Sequence, residues 1–100
     1  MNTEKKIIVS SKVLANYCKE CLANTHPSSD IDITIKVSEN YLVIHPLSVK
    51  KMYVETLTYD YEVPITYKEL RQLVNLYKAI GEQPLSITFN FFITISHILI

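Results

Sequence analysis

Cys18-Lys19-Glu20-Cys21, with His26 just beyond, is the grouping in this chain whose residue types most directly suggest chemistry. Two thiolates and an imidazole are zinc ligands, but a structural zinc site takes four and this run supplies three. A redox C-x-x-C belongs at a helix start that follows a strand, whereas helical periodicity places this pair in mid-helix. Both cysteines share a helical stripe with Leu14 and Leu22, where they act as small buried hydrophobes. No metal and no cofactor is expected.

The second grouping is cationic. On a helix of about 3.6 residues per turn, Lys12, Asn16 and Lys19 fall on one face. Lys68, Arg71, Gln72, Asn75 and Lys78 fall on one side of a later helix. Both stripes lie opposite apolar ones and are poor in acids. Long-stemmed cations and amides without repelling carboxylates are what a phosphate backbone requires. A solvated helix face is the plainer reading of either stripe alone, and two helices with like stripes strengthen the phosphate reading.

Little else assembles. His26, His45 and His97 are scattered, and no serine or cysteine sits in a glycine-shaped nucleophile turn. No glycine-rich loop cradles phosphate, and the carboxylates are dispersed. Catalysis is not expected. Tyr53, Tyr59, Tyr61 and Tyr67 are aromatic enough for base stacking, yet no cations interleave with Tyr59 and Tyr61, and half-buried strand positions account for them.

The elements that must hold these residues follow from period and punctuation. Residues 6–10 read as a strand. Ser10 or Ser11 caps a helix to about Ala23, with Val13, Leu14, Tyr17, Cys18, Cys21 and Leu22 on its buried stripe. Strands over 30–38 and 41–45 meet at Glu39-Asn40, a hairpin turn, and Pro46 ends the second. A longer strand is expected from Lys50 to about Tyr59 and a short one from Tyr61 to Ile65. Thr66-Tyr67-Lys68-Glu69 is a capping box that opens a second helix to about Ile80, burying Leu70, Leu73, Val74 and Tyr77 and ending at Gly81. One or two strands finish the chain. The segment 85–100 is apolar but shorter than the roughly 20 residues of a spanning helix. It alternates with Ser86, Thr88, Asn90, Thr94 and Ser96, which is strand periodicity and not a membrane anchor.

The order repeats. Ile7-Ile8-Val9-Ser10-Ser11-Lys12-Val13-Leu14 and Val63-Pro64-Ile65-Thr66-Tyr67-Lys68-Glu69-Leu70 each run strand, hydroxyl cap, helix. Ile31-Asp32-Ile33-Thr34-Ile35 and Leu85-Ser86-Ile87-Thr88-Phe89 follow with matching alternation. The expected fold is α+β, a duplicated β-α-β-β(-β) unit with two helices side by side on one face of an antiparallel sheet. The repeats cover about 6–59 and 61–100 in a single domain spanning 1–100. Composition agrees: 48% apolar and 20% charged residues describe a folded chain, and one glycine with four prolines leaves no evident linker. Ten basic and ten acidic residues cancel, so any nucleic-acid contact must come from local arrangement. The start, Met1-Asn2-Thr3-Glu4-Lys5-Lys6, lacks the apolar stretch of a signal peptide, and reduced thiols in a cytosolic or nuclear compartment are expected.

This duplicated unit with basic helices resembles a domain of the DNA sliding clamps, where each domain is two β-α-β-β-β units. Such domains join into a ring with helices lining the DNA and sheet outside. The stretch Thr66-Tyr67-Lys68-Glu69-Leu70-Arg71-Gln72-Leu73-Val74-Asn75-Leu76, followed by Glu82-Gln83-Pro84-Leu85-Ser86-Ile87-Thr88-Phe89, resembles the second half of a checkpoint-clamp domain. More specifically it is similar to the Rad-nine-type subunit of the nine-one-one DNA-damage clamp. Ser11-Lys12-Val13-Leu14 and Glu55-Thr56-Leu57 match the first half. The resemblance implies a nuclear, non-enzymatic domain serving DNA repair, checkpoint signalling or replication. Its partners would be other clamp subunits in a ring, double-stranded DNA bound without regard to sequence, and checkpoint or repair factors, with no membrane. The DNA-facing residues would be Lys12, Asn16, Lys19, Lys68, Arg71, Asn75 and Lys78.

Three features depart from that pattern. A clamp subunit has two domains and this chain one. No closing strand of the second unit is expected within these 100 residues, since Ile98-Leu99-Ile100 arrives without a turn, as in a fragment, a truncated product or a divergent minimal version. The turn around Asn90-Phe91-Phe92 has neither glycine nor proline. An apolar last strand seeks a partner, which supports a rival reading. In that reading the chain is a small interaction or inhibitor module of the same α+β shape, binding through a sheet edge at Phe91, Ile93 and Ile95.

Overall fold

A computed structural model describes residues 6–24, 31–56, 60–89 and 93–97. The elements in order are β1 (Lys6–Ser10), α1 (Ser11–Ala23), β2 (Ile33–Ser38), β3 (Tyr41–His45), β4 (Met52–Tyr53) and β5 (Glu55–Thr56). Then come β6 (Tyr61–Ile65), α2 (Tyr67–Ile80), β7 (Pro84–Phe89) and β8 (Ile93–His97). The α+β class and the two helices packed against antiparallel strands are as the sequence predicts. The strands, however, divide between two sheets, ordered β5-β1-β7-β8 and β4-β3-β2-β6.

The division follows a simple exchange. The strand before each helix pairs with the strand after the other helix: β1 with β7, Ile7 opposite Ile87, and β6 with β2, Val63 opposite Ile35. Alternation turns Ile7, Val9, Ile35, Val37, Val63, Leu85 and Ile87 inward, where they meet Leu14, Cys18 and Cys21 of α1 and Leu70 and Leu73 of α2 in one core. Neither half closes a core without strands from the other. Two strands follow α2 among the described residues, where five, the last of them leading into α2, separate α1 from α2.

The strand expected from Lys50 to Tyr59 is instead two short ones in different sheets. Tyr53 pairs with Tyr41 in one sheet and Thr56 with Ile7 in the other. Val54, only 1% exposed, makes the crossing, its N–H donating to the Asn40 carbonyl at 2.8 Å. Residues 57–59, including the Tyr59 end of that expected strand, lie outside the described residues.

Local signals position the rest. Thr66 accepts from the Glu69 N–H at 3.1 Å while the Glu69 carboxylate accepts from the Thr66 N–H at 2.9 Å, closing the capping box. Gly81 ends α2 at φ 74° and ψ −164°, a region open essentially to glycine alone, and its N–H donates to Tyr77 at 2.8 Å. The Tyr17 hydroxyl donates to the Lys50 carbonyl at 2.7 Å and accepts the Ile44 N–H at 3.1 Å, pinning the 46–50 loop to α1.

The Glu39-Asn40 turn has φ of 52° and 67°, both left-handed, as a two-residue hairpin of this kind requires. Asparagine tolerates that region; glutamate there costs about 1 kcal/mol. Replacing the pair by Asn-Gly (Glu39→Asn with Asn40→Gly) is expected to raise the melting temperature by about 4–8 °C in a thermal scan. An unchanged or lowered melting temperature would contradict this turn geometry.

Three side-chain expectations need correction. Val13, assigned to the buried stripe, is 49% exposed, because it sits at the stripe margin where α1 begins and no described residue covers it. Leu22 of α1 and Val74 and Tyr77 of α2, also assigned to buried stripes, are only partly buried. Neither Ser10 nor Ser11 caps α1 through its side chain. Ser11, 2% exposed, instead donates from its hydroxyl to the Gly81 carbonyl at 2.6 Å and accepts the Gln83 N–H at 2.8 Å.

Candidate nucleic-acid interface

Each helix buries one stripe and exposes the opposite one. In α1 the buried residues are Ser11, Leu14, Ala15, Tyr17, Cys18 and Cys21, and in α2 Leu70 and Leu73. Lys12, Asn16 and Lys19 are consequently exposed, as are Lys68, Arg71, Asn75 and Lys78. All seven sequence-predicted residues reach solvent.

The two helices pack on one another. Ser11 fixes their ends: through its hydroxyl and its own N–H, which donates to the Gln83 carbonyl at 2.8 Å, the start of α1 is tied to the segment leaving α2. Two neighbouring rods thus carry their cations outward, backed by the shared core.

Five cations stand on these faces: Lys12, Lys19, Lys68, Arg71 and Lys78. Among the described helical residues Glu20 is the one exposed acid, and it faces Lys50 at 3.9 Å. Glu69 is occupied by the capping box. Lys12 is partly offset by Glu82 at 3.7 Å, an exposed pair of small energetic weight. The strongest uncompensated cluster is therefore on α2, a bias the sequence stripes alone do not reveal because Glu82 lies beyond the helix.

The other candidates resolve differently. Cys18 and Cys21 are both 0% exposed in the core. Burial pushes the Cys18 thiol up to about 12, aided by Cys21, and the Cys21 thiol up to about 11, aided by the Glu20 charge. Protonated, enclosed thiols are poor ligands and poor nucleophiles. His26 lies outside the described residues, and among those described no three of His, Cys, Asp and Glu converge on a common point.

Phe91 also lies outside the described residues. Ile93 and Ile95 belong to β8, opposite Phe89 and Ile87, and β8 is an edge strand of its sheet. The sequence reading of Tyr53 as half-buried needs correction, and sequence reasoning missed Tyr41: the two are 63% and 44% exposed, edge to face at 6.3 Å, with the Lys51 Nζ 5.9 Å from the Tyr41 ring. No helix of the described residues is long and apolar enough to cross a membrane.

Comparison with known proteins gives no match: no family model, no curated protein and no solved structure is significantly similar to this chain.

Proposed function

We propose that this chain is a non-enzymatic, clamp-like DNA-binding domain that works in a larger ring and offers a platform to checkpoint, repair or replication factors. The observation that supports the reading most is the exposure of all seven helix residues on two mutually packed helices, with a single exposed acid among them. Lysine and arginine on long stems, spaced along adjacent rods, suit phosphate contacts that carry no sequence information. The exchange of strands between halves suits a rigid backing for such rods. The ring, its other subunits and a nuclear location rest on the sequence resemblance.

Fluorescence anisotropy with a labelled DNA duplex at low salt tests the surface. Lys68→Glu, Arg71→Glu and Lys78→Glu together are expected to weaken binding at least tenfold and to flatten its salt dependence by about three counterions. Lys12 is a poorer choice because Glu82 already offsets it. Unchanged affinity in the triple variant removes the DNA-facing assignment.

The rival reading, an interaction module using a sheet edge, draws on the position of β8. It places partner binding under the control of Ile93 and Ile95 and leaves it indifferent to the α2 charges.

A further inference from the structure

Where α1 begins beside the end of β1, the surface holds a groove of about 600 Å³. Ile8, Val13, Tyr53 and Pro84 supply its apolar lining, and Glu55 and Glu82 its charge. Val13 and Tyr53 are among the most exposed large apolar side chains of the described residues, at 49% and 63%. Tyr41 extends the same surface through its edge contact with Tyr53. Solvent-facing apolar side chains gathered in one concavity, rather than scattered singly, mark a contact surface, and the volume lies within the range of ligand clefts.

Charge narrows the occupant. Both charged side chains lining the groove are carboxylates, in contrast to the basic helix faces. Glu82 is shared with Lys12 at 3.7 Å. Glu55, directly across the strand pair from Ile8, has no salt bridge among the described residues. The next groove, about 370 Å³ around Pro46, Leu47 and Val49, differs: its Glu20 and Lys50 face each other at 3.9 Å, so it offers no uncompensated charge to a partner.

We propose that the groove is the docking site for a short extended peptide of a partner protein, whose apolar side chains lie against Ile8, Val13 and Pro84 under the Tyr53 ring, and whose lysine or arginine meets Glu55. This site is separate from Lys68, Arg71 and Lys78, and from the β8 edge, so it stands whether or not the helices bind DNA.

The test is an NMR titration of the isotope-labelled full chain with two blocked peptides, acetyl-KLVLK-amide and acetyl-ELVLE-amide. The basic peptide is expected to shift amides at Ile8, Val13, Tyr53 and Glu55 saturably, and to bind about fivefold tighter than the acidic one. Val13→Glu is expected to weaken it more than tenfold. Glu55→Lys, an exposed change on a short strand, is expected to reverse the preference between the peptides. Equal binding of both peptides, shifts outside the groove, no saturable shift up to about 5 mM, or a preference unmoved by Glu55→Lys each overturns the proposal.

Discussion

Leu70→Ala is expected to cost the whole protein about 2–5 kcal/mol, and the loss is expected to appear equally in the half that does not contain Leu70. Leu70 is 0% exposed in α2, and alanine preserves helix propensity, so the change removes packing alone. The shared consequence follows from strand exchange. The hairpin of β2 and β3 is completed by β6, which leads directly into α2, while β1 is completed by β7, which leaves it. A weakened α2 therefore loosens both sheets. Against a typical total of about 5–15 kcal/mol for a domain, the loss is large. Urea unfolding followed by fluorescence and circular dichroism should show one transition moved to lower denaturant. Hydrogen exchange should show the amides of Val37 and Leu42 losing protection as far as those of Leu73. If the β2–β3 hairpin keeps its protection while α2 loses it, the halves are separate cooperative units and the single shared core is wrong.

What could be read in advance was local, and what could not was long-range. The capping box at Thr66 and Glu69, the Glu39-Asn40 turn and the core placement of both cysteines each depend on residues within a few positions of one another. The split at Val54 does not. Met52 and Val54 both face inward, as one continuous strand would also have them, so alternation cannot tell which sheet each segment joins. That choice is made by Tyr41, which takes Tyr53, and by Ile7, which takes Thr56. Ser11 carries the same lesson. A serine at a helix start reads as a cap, yet its acceptor is Gly81, 70 residues away. Val13 fell on the buried stripe by angle alone, and only the packing of α1 decides that its side chain stays in the groove. The cationic stripes were legible because exposure opposite a buried stripe is a local consequence of helix geometry. Their relative strength was not, since Glu82 and Lys50 approach α1 from other elements.

Above pH 9 the protein is expected to lose stability steeply, and the cysteines are expected to be the main cause. Burial raises the Cys18 thiol from 9.0 to about 12 and the Cys21 thiol from 9.0 to about 11. Below pH 9 both thiols are protonated in the folded and unfolded chain alike, so their contribution is complete. As pH rises past 9 the unfolded chain releases both protons while the folded one retains them. The unfolded state then binds fewer protons, and stability falls with pH at about 1.4 kcal/mol per unit for each thiol. Together they give a slope of about 3 kcal/mol per pH unit between pH 9 and 11, after which Cys21 ionises in place and Cys18 alone continues toward 12. Tyr61, pushed by burial up to about 12, adds to the fall above pH 10, and Tyr17, raised chiefly by burial, acts in the same direction. Urea denaturation in reducing buffer from pH 7 to 11 measures the curve. The Cys18→Ala, Cys21→Ala double variant, less stable at neutral pH, should fall much less steeply from pH 9 to 10, where the thiols titrate and the tyrosines have only begun to. A wild-type slope in that variant, or a wild-type curve level to pH 10.5, would mean that solvent reaches these thiols. The core assignment of the C-x-x-C run would then fail, and with it the physical ground for setting aside its use as a ligand pair.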